Sequence, residues 1–211
     1  MRIIFKIFAY LFIALGFSLA NAGSYEDFFT AVIRDDGATI TRLVGRGFDP
    51  NSLDPTGQTA LHLALRADSA SVVEALLAAP GIDVNVANSS GETPLMMAAL
   101  KGQLERCQQL LARGAAVNKS GWTPLHYAAT GPAPTVVQLL IDKGARIEAP
   151  SPNRSTPLMM AAGYGAEANV DVLLGRGADP RARNELQLSA ADFARRAQRE
   201  SLAERLDKLA H

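Results

Sequence analysis

The chain has 211 residues, 48% hydrophobic but only 6% aromatic, with 21 basic and 21 acidic side chains that sum to a net charge of +0. That neutrality excludes a long-range pull on nucleic acid, and a single cysteine, Cys107, excludes an internal disulfide framework. The apolar excess is chiefly Ala and Leu, which suits short, closely packed helices, so an all-α fold is expected.

Residues 1–22 stand apart. Arg2 and Lys6 lead into the apolar run from Ile7 to Leu15, and Ala20-Asn21-Ala22 comes just before Gly23. A basic start, an apolar centre and a small-x-small exit form the pattern of a cleaved secretory signal peptide. The stretch from Ile3 to Leu19 also approaches the roughly 17 residues that a membrane span needs, which keeps a retained anchor as the alternative. Lys6 interrupts that run and favours cleavage. Removing 1–22 takes away Arg2 and Lys6 and no acid, leaving 19 basic and 21 acidic residues, a balance of −2. The expected location is the periplasm, with the extracellular medium second, and no membrane attachment after cleavage.

Beyond Gly23 two elements alternate. The first is Gly57-Gln58-Thr59-Ala60-Leu61-His62, repeated as Gly91-Glu92-Thr93-Pro94-Leu95-Met96, Gly121-Trp122-Thr123-Pro124-Leu125-His126 and Ser155-Thr156-Pro157-Leu158-Met159, with a degraded copy from Leu188-Ser189. From Thr59 through Thr93, Thr123 and Thr156 to Ser189 the steps are 34, 30, 33 and 33 residues, a period that means a stacked array. Thr can cap a helix there, and Pro at the first helical position loses nothing. The second element carries Gly47, Gly81, Gly114, Gly144 and Gly177, each expected to close a short amphipathic helix such as Thr135 to Leu140. Each unit is therefore helix, turn, helix and extended connection. Pro132 and Pro134 stiffen one turn and start its second helix.

These two motifs, recurring in the same order and phase, resemble the ankyrin-repeat family, whose unit carries T-P-L-H-x-A-A, a V-V-x-L-L helix and G-A-D-V-N. The resemblance covers about residues 24–210. It implies an ankyrin-repeat solenoid of about six helix-turn-helix units with N- and C-terminal caps, stacked in two layers with finger-like connections. The units are about 24–56, 57–90, 91–120, 121–153, 154–186 and 187–211. The first lacks the threonine motif but keeps Phe28, Phe29, Ala31, Val32, Leu43 and Val44. The last has one apolar and one charged face, as a terminal unit with a single neighbour needs. The 30-residue step comes from a finger, Asn118 to Thr123, that is three residues short, and Arg154 replaces a finger glycine and is expected to alter that finger's shape.

Little in the chain points to chemistry. The resemblance gives His62 and His126 a structural hydrogen bond near the threonines. The pairs Met96-Met97 and Met159-Met160 could in principle hold Cu(I), but they lie two units apart. Packed helices sit about 8–10 Å from each other, so the pairs should be roughly 20 Å apart. Cys107, among Leu104, Leu110 and Leu111, is expected to be a small buried hydrophobe, with a reactive thiol as the alternative. No phosphate loop, nucleophile elbow or metal motif is present, so neither enzyme activity nor a cofactor is expected.

What remains is surface for another protein, bound by a monomer. In the family, partners meet finger residues and the exposed side of the first helix. By that resemblance Gln58, Glu92, Trp122 and Ser155 precede the threonines, and Arg66, Leu100, Lys101, Thr130 and Tyr164 follow the first helices. Trp122 is the sharpest candidate, since indoles dominate binding hot spots; the competing expectation is that it folds over to fill the gap left by the short finger. A non-catalytic scaffold of the bacterial cell envelope is the preferred function. The alternatives are a secreted effector that binds a host protein and a periplasmic metal or redox-stress accessory protein.

Overall fold

A computed structural model describes residues 23–210, so the expected signal peptide lies outside the described residues. Among the described residues the regular structure is α-helical, with one isolated bridge between Leu53 and Thr59, and no helix is long and apolar enough to cross a membrane. The chain packs as two compact units that meet in sequence at Asp83 and Val84.

The first unit contains α1 (residues 23–33), α2 (Gly37–Gly45), α3 (Ala60–Ala67) and α4 (Ala70–Ala78). Phe28 on α1 is fully buried and lies 4.5 Å, centroid to centroid, from Phe48. The α1–α2 turn is pinned to α4: Asp35 accepts from the Val72 N–H at 2.8 Å, and Gly37 lies so close to Ser71 that an added Cβ would sit 2.4 Å from its carbonyl oxygen.

The second unit contains α5 (Pro94–Leu100), α6 (Leu104–Ala112), α7 (Pro124–Thr130), α8 (Pro134–Asp142), α9 (Pro157–Tyr164), α10 (Glu167–Gly175), α11 (Ala190–Arg196) and α12 (Glu200–Ala210). Helices α5, α7, α9 and α11 pack side by side, and α6, α8 and α10 form a second layer behind them. Leu95, Leu125, Leu158, Val137, Leu140 and Leu173 are completely buried between the layers.

The threonine motif starts helices as expected. Thr59, Thr93, Thr156 and Ser189 each accept a hydrogen bond from the N–H three residues on, satisfying one of the orphan donors of the first turn. Helix ends follow the glycine element. After α8, for example, the Gly144 N–H reaches Ile141 O and the Ala145 N–H reaches Leu140 O, with Gly144 at φ +87, the paired bonds of a Schellman cap. α4 departs from the expectation. It stops at Ala78 because Pro80 has no N–H and forces Ala79 into an extended conformation (ψ 135), so Gly81 follows the helix without closing it.

Four fingers share one turn. The N–H of the first residue bonds the carbonyl four on, and the residue two before the threonine or serine returns an N–H bond with positive φ: Asp54–Gln58, Asn88–Glu92, Ser151–Ser155 and Asn184–Leu188. Arg154 was expected to change its finger's shape, and it does not. It takes φ +61 and donates to Ser151 O at 2.8 Å, as Gly57 and Gly91 do to Asp54 and Asn88. The short finger between Asn118 and Thr123 keeps the positive φ at Gly121 but, among the described residues, not the paired backbone bonds. The residue that would begin the turn, Asn118, spends its side chain on the next connection instead, donating to Gly144 O at 2.8 Å and accepting from the Arg146 N–H at 3.0 Å.

Candidate functional site

Trp122, the residue just before the capping Thr123, lies beside the first-helix layer. A cleft of about 280 Å³ opens there, lined by Leu100 at the end of α5, Trp122, His126, Tyr127 and Thr130 from α7 and its approach, and Met160 on α9. Its lining is nearly all carbon, and the polar atoms nearby explain why. His126 is buried; Thr123 meets its Nδ1 at 2.9 Å, and its Nε2 lies 3.0 Å from Ser155 O, an arrangement that suits a neutral ring with the proton on Nε2. Burial holds its pKa below the usual imidazole range against the opposing pull of the Ser155 carbonyl. The Thr130 hydroxyl donates back to His126 O at 2.9 Å. The Tyr127 hydroxyl donates to Glu92 Oε1 at 2.8 Å, and burial followed by that carboxylate pushes the phenol pKa up. Each polar group thus has a partner within the protein, and apolar surface is left facing the cleft.

Of the residues expected at the surface, Trp122, Leu100 and Thr130 come together here. Trp122 is half-buried with its edge against the His126 ring, centroids 5.3 Å apart, so it partly covers the neighbouring side chain while its remaining surface lines the cleft. Glu92 stands behind the wall, held by Tyr127 and by the Asn88 amide at 2.7 Å. Lys101 is exposed next to Leu100. Tyr164 is 65% exposed at the end of α9, packed edge-on to Phe193 in a separate small cleft with Arg196. Gln58 and Arg66 belong to the first unit; Gln58 closes a finger turn and Arg66 is exposed. Ser155 is a correction. It is 1% exposed, its carbonyl is taken by His126 and its hydroxyl by the Asn184 amide at 3.2 Å, so it holds repeats together and cannot meet a partner.

Tyr127 and Met160, missed in the sequence, occupy one motif position, four residues past the capping Thr or Ser. The position is filled in turn by Leu63, Met97, Tyr127, Met160 and Phe193. Its variation among large apolar residues was the available signal. The other methionine of each pair replaces the imidazole: Met96 Sδ accepts from the Thr93 N–H at 3.3 Å and Met159 Sδ from the Thr156 N–H at 3.4 Å, where Thr123 N–H meets His126 Nδ1 at 3.2 Å. Both sulfurs are buried within the stack. Cys107 is also fully buried, and burial pushes its thiol up to about 12.

The family whose sequences are described as ankyrin repeats (3 copies) matches residues 28–120 and 105–184, more than half of the chain. The chain belongs to the ankyrin-repeat family. Among its relatives it is 37% identical over 161 residues to the B-cell lymphoma 3 protein homolog of Mus musculus, covering 73% of this chain and 36% of that protein. It is 32% identical over 163 residues to the nuclear factor NF-kappa-B p105 subunit of Gallus gallus, covering 73% and 16%. It is 33% identical over 150 residues to SH3 and multiple ankyrin repeat domains protein 2 of Homo sapiens, covering 69% and 8%. The chain therefore spans well under two thirds of the length of these relatives. Ankyrin repeats are protein-protein interaction scaffolds, and that coarse role extends to this chain.

Proposed function

We propose that this ankyrin-repeat chain is a non-catalytic scaffold of the bacterial cell envelope that, as a monomer, takes an apolar side chain of a partner protein into the Trp122 cleft. The observation that carries this reading is the cleft itself. An indole, a leucine, a tyrosine and a methionine from three adjacent helices and the shortened finger surround about 280 Å³, with the nearby polar groups already bonded inward. Aromatic anchors in such a setting give the largest binding contributions, about 2 kcal/mol or more when truncated. A periplasmic address rests on the basic start, apolar centre and Ala-x-Ala exit of residues 1–22.

The test is crosslinking and capture from the envelope fraction with the unaltered chain, Trp122→Ala and Met160→Lys, followed by affinity measurement on the protein identified. Weakening by both substitutions, with Arg66→Ala unchanged, is the expected pattern. A partner held with equal affinity by folded Trp122→Ala and Met160→Lys would exclude the cleft. Fractionation decides the location separately, and a mature chain beginning at Gly23 is expected in periplasmic extract.

A further inference from the structure

The connections that follow the second helices are tied in register by one repeated pair of hydrogen bonds. Asn51 donates its amide to Gly81 O at 2.8 Å and accepts the Asp83 N–H at 2.8 Å. Asn85 donates to Gly114 O at 3.1 Å and accepts from Ala116 at 2.8 Å, and Asn118 does the same with Gly144 and Arg146. At the fourth position the residue is Glu148. Its Oε1 accepts the Asp179 N–H at 2.9 Å, which keeps half of the pattern, but a carboxylate has no proton for Gly177 O.

We propose that Glu148 is an acid-responsive latch between the fourth and fifth repeats: ionised it makes only the acceptor half of the ladder, and protonated it supplies the donor half to the Gly177 carbonyl, as the asparagines do. Of the charges around it, Asp179 is the one that acts on Glu148, and it favours the proton. The facing connection presents Asp179, whose carboxylate is joined to Arg181 at 3.2 Å and so already has its cation. On the helices behind, Arg176 of α10 is committed to Asp142 of α8 at 2.7 Å. On its own connection Arg146 lies two residues back, and only its backbone N–H goes to Asn118. Glu148 is solvent-exposed, and partial desolvation and, more weakly, Asp179 raise its carboxyl above the usual range, while the Asp179 N–H acts against them. A group raised in the folded state adds stability that is full below its unfolded value near 4.5 and is lost as pH rises through its folded value. The junction should therefore tighten in acid. A periplasmic chain would meet such acid directly, but the latch does not depend on the binding reading.

The experiment measures amide exchange at Asp179 and urea unfolding between pH 7.5 and 4 for the full chain, Glu148→Gln and Glu148→Asn. Both amides carry the missing donor permanently. At pH 7.5 at least one variant should protect the Asp179 amide better than the unaltered chain, on the order of threefold to tenfold for one net hydrogen bond, and the gap should close by pH 4. Asp179→Asn separates donation from simple repulsion: if the donor matters, the pH dependence persists in that variant. The latch is overturned if neither amide variant gains protection at pH 7.5, if the gap is unchanged at pH 4, or if Asp179→Asn abolishes the pH dependence.

Discussion

His126 shows how one position tolerates different chemistry when its neighbours ask for a single thing. The Thr N–H needs an acceptor three residues on, and both imidazole Nδ1 and thioether sulfur provide one. His126→Met should therefore fold, at a cost of about 1 kcal/mol at pH 7.5 for the lost bond to Ser155 O. The substitution also removes a titrating group. His126 is depressed below 6.5 in the folded chain, so its contribution is present above that pH and is lost as pH falls through the folded value. Urea unfolding at pH 7.5 and 5 should show the unaltered chain losing more stability than the methionine variant, and an equal loss would mean that His126 does not titrate. Cys107 gives a second residue-scale expectation. With its thiol pushed up to about 12 and no exposed surface, it should resist a thiol reagent in the native chain and react on unfolding. Rapid labelling of the folded protein would contradict its burial.

At the scale of elements, helix starts, the second-helix glycines other than Gly81 and the short finger were legible in the sequence, because each is set within a few residues of chain; Gly81 was misread although Pro80 beside it carried the local signal. The Thr-Pro caps and Schellman turns are local geometry. Other misread features depend on which atoms a neighbouring repeat brings close: Ser155 was assigned to the surface, and Tyr127 and Met160 were overlooked at the cleft. Arg154 was misread for another reason. A turn held by two backbone bonds and by its neighbour, with the Glu185 N–H on Asn153 O at 3.1 Å, can carry a left-handed arginine. Left-handed backbone costs a non-glycine residue about 1–2 kcal/mol, and glycine returns part of that as entropy of the unfolded chain, so Arg154→Gly should stabilise by about 0.5 kcal/mol in chemical denaturation. Gly165 is constrained differently. Its φ of −91 suits any residue, but a Cβ there would lie 1.9 Å from Ala129 O, where α9 turns back against the end of α7. Gly165→Ala should cost about 3 kcal/mol, and a variant as stable as the parent would mean that the α7–α9 spacing can relax.

Across the whole second unit, stability should behave as a sum of neighbour junctions, because each repeat touches only those beside it. Two polar side chains, one short and one long, occupy comparable places at successive junctions. Asn169 Nδ2 reaches the carbonyls of Ala128, Ala129 and Gly131 at the end of α7. One repeat later, Arg199 Nη1 reaches those of Ala161, Ala162 and Gly165 at the end of α9. Both bring donors to the last carbonyls of a helix, of which Ala128 O and Ala161 O also accept the N–H of Gly131 and Gly165. Removing Arg199 should cost about 1.5–3 kcal/mol, the range for hydrogen bonds to a charged group. Its position then decides where the loss is felt. Arg199→Ala should raise amide exchange in α11 and α12 while α7 and α9 keep their protection, because only the terminal junction is loosened. Asn169→Ala acts one junction further in, so exchange should rise together in α9 to α12. Equal loosening of every helix by both substitutions would show the unit to be one cooperative block and not an array of junctions.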